Sequence, residues 1–228
     1  MKQLYIIVEG QTELEFVNRL LIPFWVSRGL HTHIQGVPID MRGGGHGFNN
    51  IEHFKKTIRP LLMNDDEPLI TTMIDYYGIN SEKKLPNYAL CNKISDVEQR
   101  IRCMEDGLTE AVNSIKSYRF FLPNILKHEM ETLFFANPET GFDLEKDTIK
   151  QAVLAICQKF PNIEDINDTP QGAPSKRLTA IYEANGKKYK KRVDGVDIAE
   201  LTGMGVILEK CPRFKAWTER VVAAVVDS

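Results

Sequence analysis

The sequence lacks a long apolar run, an excess of charge of one sign and a cysteine cluster. No segment of the 228-residue sequence approaches the ~20 apolar residues that a membrane-spanning helix needs. No membrane association is therefore expected. The 29 basic residues nearly balance the 31 acidic ones, which gives a formal net charge of -2. This average gives no support to a general electrostatic nucleic-acid binder, which would be basic overall.

The cysteines are too widely spaced to form a CxxC pair. They are Cys91, Cys103, Cys157 and Cys211. This spacing favours reduced, packed thiols over a zinc site or a disulfide framework. The apolar run at 4–8 is too short for a signal peptide and ends at Glu9. We therefore expect a cytoplasmic protein.

The hydrophobic pattern of the first 136 residues alternates between short apolar runs and periodic apolar residues, which predict strands and helices respectively. Strands are predicted at 4–8, 33–39, 69–74 and 119–125, and helices at 11–28, 50–63, 95–117 and 128–135. This order implies an α/β fold with a mainly parallel, Rossmann-like sheet flanked by helices.

Three local signals refine these boundaries. Thr12 and Glu15 have the spacing of a capping box, which predicts Thr12 as the N-cap of the first helix. Ser175 is the predicted cap of a later helix. Pro123 demotes the strand at 119–125 to an edge position or an early end.

Residues 137–228 have a different pattern, in which helices are joined by turns rich in Pro, Gly and Asn. Helices are predicted at 148–160, 175–184 and 212–225. We therefore divide the chain into an α/β core over 1–136 and a helical C-terminal extension over 137–228 that packs on the core.

Acidic residues follow two of the predicted strands. Glu9 comes after the first strand, Asp75 after the third, and Glu13 lies one helical turn beyond Glu9. Because ligands of open α/β sheets bind beyond the carboxyl ends of the strands, these acids are candidate ligands of a hard divalent cation. The alternative is that Glu13 only complements the helix dipole and Asp75 caps a turn.

The segment LYIIVEGQTE, residues 4–13, resembles the first motif of the Toprim fold found in topoisomerases, primases and overcoming-lysogenization-defect nucleases. The resemblance implies a Toprim-like core in which Glu9 is a catalytic acid/base or a metal ligand. The second motif of that fold is Asp-x-Asp, whereas this chain has Asp75-Tyr76-Tyr77. Tyr77 therefore replaces the second aspartate, and other acids are needed to complete the site.

A fuller resemblance is to a bacterial Toprim-like family of unknown function that accompanies ATPases in defence loci. It extends over nearly the whole chain through VEGQTE, IDYYG, FLPNILKHEMETLFF, INDTPQGAPSKRL and CPRFKAW. The resemblance implies a partner ATPase of the ABC or SMC-like type and a role in anti-phage defence.

The segment His128-Glu129-Met130-Glu131 can supply the missing acid. By resemblance to overcoming-lysogenization-defect nucleases, Glu129 is the preferred further ligand, Glu131 the second, and His128 a ligand or proton carrier. The alternative is a helix start whose acids only complement the dipole. The same resemblance implies a basic residue near the metals, for which Lys176 and Arg177 are the candidates.

Two further segments each allow either a role in phosphate binding or a purely structural role as a turn or loop. The glycine loop Arg42–Gly47, with Arg42 and His46, would let a phosphate backbone approach, but a flexible turn is favoured. The basic run 187–192 is typical of phosphate contact and equally of a solvated loop.

Together these features predict a nuclease dependent on Mg²⁺ or Mn²⁺ that hydrolyses DNA or RNA. Glu9, Glu13 and Asp75 would hold metal and activate water, and Lys176 or Arg177 would steady the phosphate. The alternative is a non-catalytic Toprim adaptor or sensor that docks an ATPase, and Tyr77 favours it. A third, weaker interpretation is nucleotidyl transfer.

Overall fold

The computed structural model describes residues 1–41, 45–167 and 172–227. Its centre is a five-stranded sheet of order β2-β1-β5-β6, in which β7 also pairs with β5 and every pairing is parallel. These strands are β1 (Leu4–Val8), β2 (Ile34–Pro38), β5 (Leu69–Asp75), β6 (Phe121–Leu122) and β7 (Ile125–Leu126). A separate antiparallel pair consists of β3 (Asp40–Met41) and β4 (Gly45–His46). The predicted α/β fold with a mainly parallel sheet is confirmed.

Helices flank the sheet. Before β6 they are α1 (Gln11–Phe16), a π-helical turn (Val17–Leu21), α2 (Ile22–Ser27), α3 (Ile51–Leu62), a 3₁₀ turn (Ser81–Lys83), α4 (Tyr88–Cys91) and α5 (Val97–Asn113). After β7 they are 3₁₀ turns at Met130–Phe135 and Ile163–Asp165, α6 (Pro138–Gly141), α7 (Asp147–Cys157), α8 (Pro174–Ala184), a π-helical turn (Lys191–Gly195), α9 (Val196–Thr202), α10 (Met204–Lys210) and α11 (Pro212–Val226). The described residues beyond 136 contain no strand, as predicted.

Side chains of β1 alternate between two apolar cores, one on each face of the sheet. Leu4, Ile6 and Val8 pack in a core that includes residues of α1, α2 and the C-terminal helices. Ile7 packs on the other face, in a core formed with α3 and α5. The C-terminal helices thus lie directly on one face of the sheet. The division at residue 136 stays a prediction.

Trp217 connects the last helix to the central strand. Its indole Nε1–H donates a hydrogen bond of 2.9 Å to Thr71 Oγ1, and both side chains are buried. Asp75 has the same alternation phase along β5 as Thr71, so its side chain lies on the face that carries the C-terminal helices.

The predicted capping box is wrong. The N-cap of α1 is Gly10, in extended conformation, and Thr12 is already the second residue of the helix. Glu15 instead forms an ion pair with Arg192 at 2.7 Å. Because the helix begins directly after the strand, its first turn leaves no linker in which a threonine cap could stand. The predicted Ser175 cap is also wrong, because Ala173 is the N-cap of α8 and Ser175 is already inside the helix.

Pro123 splits the predicted strand 119–125 into β6 and β7. The register against β5 is the same on both sides of the interruption, pairing Thr71 with Leu122 and Ile74 with Ile125. Between them Thr72 supplies the missing hydrogen bonds. Its Oγ1 donates to Asn124 O and accepts from Asn124 N, both at 2.7 Å.

The cysteine prediction needs a correction. Cys91 in α4 and Cys103 in α5 are joined by a disulfide, with their Cα atoms 5.5 Å apart. Cys157 and Cys211 are free, and Cys211 is buried. The two paired cysteines are distant in sequence but lie on helices that pack against one another, which spacing along the chain cannot reveal.

Among the described residues, no helix has both the length and the apolar character required to cross a membrane.

Candidate functional site

Two acidic side chains meet at the carboxyl ends of β1 and β5, as predicted. Glu9 directly follows β1, and Asp75 is the last residue of β5. The backbone N–H of Asp75 donates to Glu9 Oε2 at 3.2 Å. Asp75 Oδ1 in turn accepts a hydrogen bond of 2.9 Å from the N–H of Met130, which follows β7. The ends of three strands are therefore tied together around Asp75.

Glu13 and Glu131 meet at this edge through a lysine that the sequence did not single out. The Lys191 ammonium lies 3.1 Å from Glu131 Oε1 and 3.6 Å from Glu13 Oε1. Glu13 is on α1, Glu131 on the 3₁₀ turn after β7, and Lys191 at the start of the π-helical turn before α9. We call Glu9, Glu13, Asp75, Glu131 and Lys191 the Lys191 cluster.

Burial dominates the electrostatics of the Lys191 cluster. It raises the pKa of Glu131 to about 7, and it raises the pKa of Asp75 well above its ordinary value. Burial also raises the pKa of Glu9, against the opposing ammonium of Lys83. Burial alone would lower the pKa of Lys191, but the negative charges of Asp75, Glu131 and Glu13 outweigh it and raise that pKa. The cluster therefore holds more acid than one lysine can neutralise.

Within the Lys191 cluster, Glu131 is a buried carboxylate without hydrogen bonds. Its side chain has no exposed surface, and neither of its carboxylate oxygens has a hydrogen-bond partner. Its ion pair with Lys191 is an approach of charges without hydrogen-bond geometry. Burying a carboxylate without hydrogen bonds lowers the stability of the folded state.

Glu129, the preferred further ligand, is occupied elsewhere. Its two carboxylate oxygens accept hydrogen bonds of 2.9 Å from the N–H and the hydroxyl of Ser175 at the start of α8. Glu129 thus serves the N-terminus of α8, while Glu131 faces Lys191. The sequence does not show which of these two acids turns toward Lys191, and their ranking as metal ligands stays a prediction.

His128 lies beside Tyr77, past the carboxyl end of β5, and its imidazole is neutral. We call the edge of the sheet formed by the Lys191 cluster, Tyr77 and His128 the crevice. Burial lowers the pKa of His128 to about 4, and Asn167 Nδ2 lies 3.1 Å from its Nδ1. Its φ of 68° is in the left-handed region, which is uncommon for a histidine and marks a constrained backbone. Its carbonyl accepts a hydrogen bond of 2.7 Å from the N–H of Tyr77.

Lys176 and Arg177 lie at the start of α8 and not in the Lys191 cluster. The Lys176 ammonium is 5.5 Å from the ring centroid of Tyr77, which is partly exposed. Arg177 Nε donates to Gly172 O at 2.7 Å, and its guanidinium lies 5.5 Å from the ring of Phe160. Lys176 therefore borders the crevice beside Tyr77, whereas Arg177 is directed toward Gly172 and Phe160.

Three of the five basic residues in the run at 187–192 pair with the protein's own acids. Lys187 pairs with Glu145 and Arg192 with Glu15, in addition to the contacts of Lys191. The run is thus neither a plain solvated loop nor a free phosphate-binding strip. Residues 42–44 of the predicted glycine loop lie outside the described residues.

The donor set of the Lys191 cluster fits a hard divalent cation, which prefers carboxylate oxygens. In the described parts of the chain, no three His, Cys, Asp or Glu side chains already stand at metal-binding spacing. The carboxylates are instead spread around the Lys191 ammonium. Glu131, whose oxygens lack hydrogen bonds, is the member most open to a new ligand.

Sequence reasoning missed two basic residues near the site. Lys191 was one of five lysines and arginines in a single run, and nothing local distinguished it. Lys83, whose charge acts on Glu9, comes from a segment without a motif. Its ammonium donates to Phe48 O and lies 5.5 Å from the Phe48 ring. Only the folded chain brings either residue to the acids.

A groove of about 740 Å³ lies away from this site, between α2, α10 and α11. Its apolar lining includes Phe24, Leu208, Val222 and Val226. Nothing in the structure indicates what would cover it, and we assign it no role.

The comparisons with known proteins give a family and no activity. Neither a curated protein nor a solved structure matches the chain. One family model, described as a domain of unknown function (DUF4276), matches residues 8–222. The match includes both the strand ends and the π-helical turn that form the Lys191 cluster, and the chain therefore belongs to the DUF4276 family.

Proposed function

We propose that the protein is a nuclease that uses Mg²⁺ or Mn²⁺ to hydrolyse phosphodiester bonds of DNA or RNA, on a Toprim-like core. The observation that carries the proposal is the convergence of Glu9, Asp75 and Glu131 beyond the carboxyl ends of parallel strands. Ligands of open α/β sheets bind at that edge. Four acids around one lysine are also poorly explained by stability alone.

Each residue of the site has a task in this proposal. Asp75, Glu131 and Glu13 hold the cation, which supplies a polarised water and neutralises charge on the phosphoryl group. Glu9 accepts the proton of the attacking water, and Asp75 N–H orients its carboxylate. Lys176, beside Tyr77 at the border of the crevice, contacts the substrate phosphate. Glu129 orients α8 through Ser175.

The biological setting belongs to the same proposal. A partner ATPase of the ABC or SMC-like type and a role in anti-phage defence follow from the family resemblance of the sequence. The protein would act in the cytoplasm, where its nucleic-acid substrate is found. Cytosolic thiols are kept reduced, so a cytoplasmic location requires that the Cys91–Cys103 disulfide persist in a reducing compartment.

The proposal is tested by incubating purified protein with plasmid DNA and with tRNA, each with Mg²⁺, Mn²⁺ or EDTA. We expect cation-dependent cleavage that Asp75→Asn and Glu9→Gln each slow by about 100-fold or more, because each removes a charge at the reacting centre. Asp143→Asn is the matched control, since Asp143 is an exposed acid that pairs with Lys150 on the surface. Cleavage that persists undiminished in both site variants would sink the proposed site.

A second candidate function is a non-catalytic adaptor that docks an ATPase. Tyr77 in place of a second aspartate and the position of Lys191 among the acids both favour it. Absence of cleavage and of Mn²⁺ binding by calorimetry, together with stable co-purification of an ATPase, would support the adaptor over the nuclease.

A further inference from the structure

The Lys191 ammonium lies between two buried acids of the Lys191 cluster. It is 3.1 Å from Glu131 Oε1 and 3.6 Å from Glu13 Oε1, and Asp75 is among the groups that act on its charge. The acids it faces are buried, while its own side chain is 40% exposed. The lysine therefore reaches into the cluster from the solvent side.

The backbone around Lys191 is held in place from several directions. Arg192 pairs with Glu15 at 2.7 Å, and Asp194 Oδ2 accepts a hydrogen bond of 2.6 Å from Lys190 N–H. Gly195 closes the same π-helical turn, and a Cβ there would lie 2.5 Å from Phe134 Cε2. The absence of a side chain at Gly195 lets this turn press against the 3₁₀ segment that carries Glu131. The backbone that carries the ammonium is thus positioned by the fold, and the flexible four-carbon stem of a lysine allows its ammonium more than one position.

We propose that Lys191 is a resident cation, which occupies the position between Glu13 and Glu131 and which a divalent ion displaces when it enters the site. This inference rests on the proposed function, because it describes how that site takes up its metal. Glu131 therefore has a positive charge beside it both before the exchange, from Lys191, and after it, from the divalent ion. A buried carboxylate that is unbonded is tolerated only while some cation lies beside it.

The displaced ammonium then has a task at the mouth of the crevice. A divalent ion replaces one positive charge by two, and the released lysine adds a third positive charge at the entrance. The substrate phosphate is the anion that this arrangement attracts. Metal and phosphate should therefore bind with positive coupling, each increasing the affinity for the other.

Mn²⁺ titration by calorimetry tests the exchange on the full-length chain. We compare the wild type with Lys191→Met, which removes the competing charge, and Lys191→Arg, which keeps it. Lys188→Met, an exposed lysine of the same run, is the control. We expect Lys191→Met to bind Mn²⁺ at least about tenfold more tightly than the wild type, and Lys191→Arg and Lys188→Met to stay within about threefold of it. Equal or weaker binding by Lys191→Met, or equal tightening by Lys191→Arg, would overturn the proposal.

The test also separates this inference from the proposed function. If the wild type cleaves with Mn²⁺ and Lys191→Met binds no more tightly, the nuclease stands and the resident cation is wrong. If the wild type binds Mn²⁺, Lys191→Met binds it at least about tenfold more tightly and neither protein cleaves, the resident cation stands and the nuclease fails. If neither protein binds Mn²⁺, both are wrong.

Lys191→Met can lose stability because its acids lose their counter-charge. Its melting temperature is therefore measured in EDTA and in millimolar Mn²⁺. A larger rise with Mn²⁺ for the variant than for the wild type supports the exchange. An unfolded variant that Mn²⁺ does not restore, or an equal rise in both proteins, contradicts it.

Discussion

The Lys191 cluster has a structural counterpart on the opposite side of β7. There Arg213, at the start of α11, lies among Glu98, Glu105 and Glu164, which we call the Arg213 cluster. Arg213 Nη1 is 2.8 Å from Glu98 Oε2, and Nη2 is 2.5 Å from Glu105 Oε1. Both clusters gather acids that are distant in sequence around a central basic side chain, and in the Arg213 cluster Lys127 also pairs with Glu98 at 3.1 Å.

The two clusters differ in how their carboxylates are bonded. Glu105 also accepts from Ile125 N–H at 2.9 Å, and Glu164 accepts from the N–H groups of Arg213 and Phe214 at 2.8 and 3.0 Å. In the Lys191 cluster, both oxygens of Glu131 lack hydrogen bonds. A guanidinium donates in a planar fork that can serve several acceptors, whereas an ammonium acts as a point charge.

The pKa values alone do not separate the clusters. Burial raises the pKa of Glu105 and of Glu164, as it raises that of Glu131. Hydrogen bonding separates them. Glu105 and Glu164 accept hydrogen bonds from the backbone, whereas Glu131 does not, which is why we propose a functional role for the Lys191 cluster only.

The largest effect is expected from Arg213→Met. The change leaves Glu105, which is 7% exposed, without its counter-charge, and the free energy of unfolding should fall by about 3–5 kcal/mol. Urea denaturation at pH 7 measures it. Lys215→Met is the control on the same helix, because its pair with Glu219 at 3.9 Å is exposed and contributes less than about 0.5 kcal/mol. If Arg213→Met lowers the free energy of unfolding no more than Lys215→Met does, Arg213 does not have this structural role.

Glu131→Gln is expected to raise the free energy of unfolding, whereas Arg213→Met lowers it. Because the folded pKa of Glu131 is about 7 against an ordinary value of 4.5, the folded state binds the proton more tightly than the unfolded state does. Wild-type stability therefore falls as pH rises from about 4.5 to about 7. The variant avoids that cost and should be about 2–3 kcal/mol more stable at pH 8, with no gain at pH 4.

Urea denaturation across this pH range measures the difference between Glu131→Gln and wild type. Glu219→Gln, an exposed acid, should show no pH-dependent gain. A Glu131→Gln protein that is less stable than wild type at pH 8 would contradict the assignment of Glu131 as an unsatisfied group.

The smallest effect is expected from Glu164→Gln. The amide keeps one acceptor oxygen for α11 but loses the second hydrogen bond and the negative charge, so the free energy of unfolding should fall by about 1 kcal/mol. The same chemical change thus stabilises the protein at Glu131 and destabilises it at Glu164. A gain at both positions would remove the distinction between the two clusters.

The acids that follow the strands were predictable, because parallel strands bring their carboxyl ends to one edge. Glu9 and Asp75 therefore needed only the correct strand boundaries. Lys191 was not predictable, since 60 residues and several turns separate it from Glu131 in sequence. Which of Glu129 and Glu131 faces inward depends on the 3₁₀ turn and on the backbone at His128, and neither has a periodic signal.

Local sequence patterns also failed to predict the helix caps and the disulfide. The capping pattern at Thr12 predicts the wrong residue, because the helix begins directly after the strand and its N-cap is Gly10. Cys91 and Cys103 had no motif, and only the packing of α4 against α5 brings them together. Local patterns predicted the elements well, whereas contacts between elements decided the site and the disulfide.

The hydroxyl of Thr72 has a consequence for how the sequence can change over time. It bonds both backbone groups of Asn124, directly after Pro123, next to the pair of Ile74 with Ile125. Core neighbours can be exchanged for apolar residues of similar volume at modest cost. A valine at position 72 has the shape but not the oxygen. We expect that lineages retaining a proline at 123 also retain a hydroxyl at 72, so that these two positions vary together.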